Sequence, residues 1–283
     1  MGIVNATPDS FCDVGRFVDP EAAVAHALSL VEAGAAIIDV GGESTRPGSR
    51  PVDASEELER ILPVLESLRA ADVAISVDTS KAFVAAGAIA AGATIVNDVS
   101  ALTKDPEMTA LCAERDVAVV LMDSPPEGRG SEGRRGESAP DRVRAALSSR
   151  IEAAVAAGIE EERLWIDPGI GFGKANPKGN LELLAGIGSL ASLGRPILVG
   201  PSRKSFIGRL DGSPPEERLG GTIAACLIAA RGGADVLRVH DVWPVRQALS
   251  VAAAATGDRR LAVHRWAGSC ASEMRGAPGP STE

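Results

Sequence analysis

Pro196-Ile197-Leu198-Val199-Gly200-Pro201-Ser202-Arg203-Lys204-Ser205 is a short apolar run that breaks off into a polar, basic turn. The apolar part predicts a buried strand. In α/β proteins, chemistry is assembled in the loops that leave the C-terminal ends of parallel strands. Lys204 supplies a compact cation at such an end, and Ser202 and Ser205 supply hydroxyls. Backbone N–H groups at the start of the following segment can hold an anion. Taken alone, the turn reads equally well as a solvated Arg-Lys pair. Seven other apolar runs end in the same way, and that repetition decides the fold.

Strands are expected over 2–4, 36–40, 73–77, 94–96, 117–122, 164–166, 196–199 and 235–237. Helices are expected over 20–33, 55–69, from after 81 to 91, 106–115, 140–157, 180–193, 215–231 and 244–256. Asp19-Pro20 provides a cap and a first turn, and Gly34 a stop. Leu58, Ile61, Leu62, Leu65 and Leu68 recur at the spacing of one buried helical face. Eight strands alternating with eight helices predict a single (β/α)8 TIM barrel, with an open doubly wound sheet as the runner-up. The barrel is expected to occupy residues 1–257, with 258–283, polar and containing Gly, Pro and Ser, as a frayed, disordered tail. Residues 123–140 form a long loop rich in Gly, Pro, Arg and Glu.

The chain has 283 residues, 45% of them hydrophobic, which is ample for one α/β domain. Its 29 Lys+Arg against 38 Asp+Glu give a net charge of −9, a poor match for nucleic acid or an anionic membrane. Local basic loops can still hold an anionic small substrate. Cys12, Cys112, Cys226 and Cys270 show no paired spacing and only three His accompany them, so neither a zinc site nor a disulfide framework is expected. With no spanning apolar stretch or leader pattern in view, a cytoplasmic protein is the expectation.

Closing the barrel gathers Asn5, Thr45, Asp78, Asn97, Asp167, Lys204, Arg238 and His240 at one mouth. Each has a plain alternative: Asp78 and Asp167 as caps, Asn97 as a backbone partner, Arg238 and His240 as a solvated rim. As a set they suit a planar heterocycle. Two carboxylates and an amide read its donor-rich edge, Lys204 meets a ring carbonyl or nitrogen, and Arg238 lies against the ring. Arg238, His240 and Asn5 remain for a phosphate-type group with a divalent metal held mainly by that group. No Ser-His-Asp set or poised Cys is present, so positioning and electrostatics are expected rather than covalent catalysis.

Seven stretches carry a family resemblance: 2–11 (GIVNATPDSF), 39–48 (DVGGESTRPG), 76–81 (SVDTSK), 96–99 (VNDV), 167–174 (DPGIGFGK), 202–206 (SRKSF) and 238–242 (RVHDV). In this order the chain resembles the dihydropteroate synthases, pterin-binding enzymes of folate biosynthesis inhibited by sulfonamides. The resemblance implies a transferase that condenses 4-aminobenzoate with 6-hydroxymethyl-7,8-dihydropterin diphosphate, releasing diphosphate and 7,8-dihydropteroate. It implies that Asp78, Asn97, Asp167 and Lys204 hold the pterin between Met122 and Phe172, with Arg238 against the ring. It gives Asn5 to Mg2+, Arg238 and His240 to the diphosphate, and Phe11, Thr45, Pro47 and Ser205 to 4-aminobenzoate. It also implies a homodimer. A non-catalytic pterin-binding paralogue and a pterin-dependent methyltransferase domain are the alternatives. The chain departs from the family at Asp123-Ser124-Pro125-Pro126, where His is usual at the first position, and at Cys12, Val14 and Pro201.

Overall fold

Side chains along a strand alternate between two faces, so in a barrel every second residue points inward. Here Ile37, Ile95, Val120, Trp165, Leu198 and Val236 pack together inside as one buried cluster. Two residues further along five of these strands the inward position turns polar or adaptable: Asp39, Asn97, Met122, Asp167 and Arg238. The outward positions, among them Ile38, Val40, Ile75, Val77, Val96, Val119, Leu121 and Leu164, pack in the main core against the helices. The interior is therefore filled by side chains at one end and chemically equipped at the other.

The computed structural model describes residues 1–7, 19–44, 49–125, 137–173 and 177–263. The strands are β1 (Gly2–Asn5), β2 (Ile37–Gly41), β3 (Ala74–Asp78), β4 (Ile95–Asp98), β5 (Ala118–Met122), β6 (Leu164–Asp167), β7 (Leu198–Val199) and β8 (Val236–Leu237). The first six pair in sequence order, all parallel, and β7 pairs with β8. Single bridges, Ile166 to Ile197 and Gly2 to Val239, join the two sheets. The Ile166 N–H donates to Pro196 O at 2.9 Å, and Ile3 N–H to Val239 O at 3.0 Å. Eight parallel strands thus close on themselves as a (β/α)8 barrel.

The described helices are α1 (Pro20–Glu32), α2 (Ala54–Leu68), α3 (Ala82–Ala90), α4 (Pro106–Glu114), α5 (Ala139–Ala156), α6 (Pro177–Ala185), α7 (Ser205–Asp211), α8 (Leu219–Arg231) and α9 (Val242–Thr256). Asp19, Asp53, Asp105 and Ser138 each cap a helix start through the side chain. Asp105 serves twice, since its second oxygen accepts the Ala82 N–H at 2.7 Å and so caps α3 as well.

Two expected helices differ from what is observed. The one expected over 180–193 is α6 followed by a 3-10 stretch, Ile187–Leu193. The break falls at Gly186, where a Cβ would meet Pro140 Cγ at 2.4 Å, so the chain passes α5 too closely to carry a side chain. The one expected over 215–231 begins as a 3-10 turn, Pro215–Glu217, before α8. The short α7 stands as a further element between β7 and α8. Beyond the expected boundary at 257, the turn Arg259–Leu261 buries Leu261.

Candidate active site

Arg238 follows β8 and reaches across the mouth. Its Nε donates to Asp39 at 2.5 Å and its Nη2 to Asp78 at 2.6 Å. Asp39 is fully buried and also accepts Ser76 Oγ at 2.6 Å and Asn97 Nδ2 at 3.2 Å. One buried carboxylate therefore orients both the guanidinium and the amide. Burial pushes the Asp78 carboxyl up to about 7; the Arg238 guanidinium pulls the other way, and the Asp39 carboxylate adds to the rise.

The opposite wall comes from β5 and β6. Met122 and Asp167 are register partners and both are buried. Asp167 Oδ1 accepts the Gly169 N–H at 2.7 Å, so its cap role is real. Behind the following loop, the buried Asn180 of α6 accepts the Gly171 N–H at 2.7 Å. Gly171 has φ +89°, and a Cβ there would meet Lys204 Cδ at 2.8 Å. The missing side chain lets Lys204 lie across the loop, with Nζ 3.9 Å from the centre of the Phe172 ring. Asp123, which follows β5, is buried with Arg142 Nη1 3.6 Å from its Oδ2.

The basic turn after β7 is braced against the end of β8. Arg203 sits at φ +54°, uncommon for a residue with a side chain. It is held there by a bidentate pair with Asp241 (2.9 and 2.6 Å) and by its N–H to Thr222 Oγ1 at 2.9 Å. Ser202 Oγ accepts the His240 N–H at 3.1 Å and lies 2.9 Å from His240 Nδ1. Burial, with the Arg238 and Arg203 cations, pushes the imidazole down to about 4, so it is neutral at neutral pH. Lys204 is the residue before α7, and Ser205, its first residue, is exposed. Asn5 ends β1 on the same rim.

Of the residues expected at the site, the structure brings Asn5, Asp78, Asn97, Met122, Asp167, Phe172, Lys204, Ser205, Arg238 and His240 to this one end. Phe11, Thr45 and Pro47 lie outside the described residues. Asp39 was not anticipated as a site residue. A signal for it existed: a carboxylate inside the apolar run Ile37-Ile38-Asp39-Val40, at an inward position. Cys112 and Cys226 are buried free thiols, each pushed up to about 12 by burial, and do not serve as nucleophiles.

Residues 1–240 match the model of a family described as "Pterin binding enzyme". The dihydropteroate synthase of Synechocystis sp. is 44% identical over 256 residues, 89% of this chain and 88% of that protein. The solved structure of Xanthomonas albilineans dihydropteroate synthase with 4-aminobenzoic acid is 47% identical, with a TM-score of 0.84 over 91% of this chain and 93% of that one. The same organism's enzyme in complex with 7,8-dihydropteroate is 45% identical, with a TM-score of 0.82 over the same shares. Sequence, fold and mouth agree: the chain belongs to the pterin binding enzyme family, in its dihydropteroate synthase group.

Proposed function

We propose that this protein condenses 4-aminobenzoate with 6-hydroxymethyl-7,8-dihydropterin diphosphate to give 7,8-dihydropteroate and diphosphate. The observation that carries the reading is the Asp39-anchored array of Arg238, Asp78 and Asn97 facing Asp167 and the Lys204–Phe172 pair. Asp78, Asn97 and Asp167 take the amino and ring N–H donors of the pterin. Lys204 donates to its ring acceptors, Met122 and Phe172 enclose it, and the face of Arg238 covers it. Arg238 Nη1 and the neutral His240 donate to the diphosphate.

The carbon–oxygen bond to diphosphate breaks first, and the electron pair leaves with the oxygen. The methylene carbon, left electron-poor and conjugated with the ring, is attacked by the aryl amine, which then loses a proton. Asp78 stabilises the positive charge that develops on the pterin. Ser205 and the first N–H groups of α7 receive the carboxylate of 4-aminobenzoate, beside Phe11, Thr45 and Pro47.

Among the described residues no group of three or more His, Cys, Asp or Glu is arranged to hold a metal ion. The hard oxygen of Asn5 fits instead a Mg2+ carried largely by substrate phosphate oxygens and water. Bound in that way, the ion would neutralise charge on the leaving diphosphate. Leu181, Leu210, Ile228 and Val251 are exposed on successive helices α6 to α9, which favours a homodimer through that outer wall. No helix among the described residues is long and apolar enough to cross a membrane. The free buried thiols suit a reducing cytoplasm.

The test is diphosphate release from the pterin diphosphate and Mg2+, with and without 4-aminobenzoate. Release that requires 4-aminobenzoate and yields dihydropteroate is expected. Pterin binding without release would move the protein to a non-catalytic role.

A further inference from the structure

Arg203 is one of three residues other than glycine with a positive φ among the described residues, at +54°. A left-handed backbone crowds the Cβ of an L-residue, so it persists only where the neighbours over-determine it. Every part of Arg203 is held. Its guanidinium pairs with Asp241, the residue before α9. Its N–H donates to Thr222 Oγ1 at 2.9 Å, and its carbonyl accepts Arg218 Nη1 at 3.0 Å.

The two backbone partners belong to one surface. Arg218 is the residue before α8, and its carbonyl accepts the Thr222 N–H at 2.9 Å. Thr222 stands four residues on, on the same face, and is fully buried. Between them, a Cβ at Gly221 would overlap Ile207 Cγ2, so α8 meets α7 with no room for a side chain. Arg218 Nε also donates to Ser213 O at 3.0 Å, just past the end of α7. The start of α8 therefore holds the segment from Arg203 to Ser213 at both ends and in the middle.

The next residue depends on that hold. Lys204 follows Arg203 directly and lies over Gly171, with Nζ against the Phe172 ring. Relaxing Arg203 to a negative φ would turn the chain away through a large angle and carry Lys204 with it. Arg218, Gly221 and Thr222 themselves are not among the residues assigned to either substrate.

We propose that Thr222 and Arg218 are positioning residues for the pterin: the start of α8 keeps Arg203 left-handed, and this aims Lys204 at the ring. The inference rests on the synthase reading, which gives Lys204 to the pterin.

Two substitutions separate positioning from packing. Thr222→Val keeps the shape and removes the acceptor; Thr222→Ser keeps the acceptor and removes the buried methyl. Binding of 6-hydroxymethyl-7,8-dihydropterin diphosphate with Mg2+ is measured by calorimetry without 4-aminobenzoate. Amide hydrogen exchange of residues 203–212 is followed in the ligand-free protein. We expect Thr222→Val to weaken binding about tenfold and to speed exchange there about tenfold, with Thr222→Ser within about twofold in both. The reverse order, with Thr222→Ser the more damaged, is what packing alone produces and would overturn the proposal. So would a lowered Tm in Thr222→Val with unchanged binding. Should Thr222→Val fail to fold, Arg218→Met carries the comparison with a loss of about threefold, and Arg218→Lys should recover part of it. Wild-type calorimetry keeps the two readings apart. No binding of the pterin diphosphate there defeats the synthase reading, while the order of exchange among the variants still decides whether α8 holds the turn.

Discussion

Asp39 and Arg238 stand 199 residues apart in the chain and meet across the barrel mouth at 2.5 Å, with the carboxylate fully buried. The pair links the second strand to the last. Neither partner is replaceable without leaving a buried charge. Asp39→Ala removes the principal partner of Arg238 and the acceptor of Ser76 and Asn97. It should destabilise the protein by about 3–5 kcal/mol, read as a shift in a denaturant midpoint. Asp39→Asn, which keeps an acceptor, should cost less. Equal stability of wild type and Asp39→Ala would show that Asp78 alone suffices for Arg238.

Lys204→Ala tests the stretch on which the fold reading began. The side chain packs over Gly171 and Phe172 at the surface of the mouth, so its removal should leave Tm within a few degrees. Turnover should fall by about 10²-fold or more, as when a donor aimed at developing charge is lost. Near-normal turnover would mean that Lys204 is a rim cation only.

Ser202→Ala leaves the His240 N–H and Nδ1 without their shared partner. We expect kcat/KM for the pterin diphosphate to fall about tenfold, the lower range of what an unmade buried hydrogen bond costs. Affinity for 4-aminobenzoate should change little. Equal losses for both substrates would point to a collapse of the whole turn instead, since Arg203–Asp241 braces it independently.

These expectations rest on parts of the molecule that differed in how openly the sequence displays them. The strands were legible because each is an apolar run stopped by a polar residue. Asp78, Asn97, Asp167, Lys204 and Arg238 were legible as those stops. Asp39 was hidden because it lies one inward position below the rim, within the run rather than after it. Gly186 was hidden for a different reason: a helix break set by a neighbouring Pro140 is a tertiary fact with no local signature. The ion pairs of Lys81 with Glu43 and Glu57 were invisible too, since the partners come from separate segments. Phe11, Thr45 and Pro47 lie outside the described residues.

Asp78 yields a pH dependence. Its folded-state carboxyl is raised from 3.8 to about 7, so the folded protein binds the extra proton between those values. The stability it contributes is present below about 4 and is lost as pH rises through about 7. Wild type should therefore lose stability relative to Asp78→Asn across that window, measured by urea denaturation at a series of pH values. His240 acts in the opposite sense, because its folded-state value lies below its ordinary 6.5; its contribution is present above that value and is lost as pH falls toward about 4. A constant difference between wild type and Asp78→Asn from pH 4 to 7 would show that the carboxyl is ionised throughout.

Each side of the β7–β8 pair is joined to the rest of the barrel by one bridge, at Ile166–Ile197 and at Gly2–Val239. The other six strands share continuous ladders. The β1–β8 seam holds three backbone hydrogen bonds, from Met1, Ile3 and Val239, whereas at β6–β7 the Ile166 N–H to Pro196 O bond is the contact, and local opening follows the weakest hydrogen-bonded boundaries. Lys204, Arg238 and His240 stand on one side of these seams; Asp78, Asn97 and Asp167 stand on the other. A ligand that touches both is then a staple across the seams. Substrate occupancy should strengthen the barrel where its own ladder is shortest, so that binding one small molecule amounts to completing the ring.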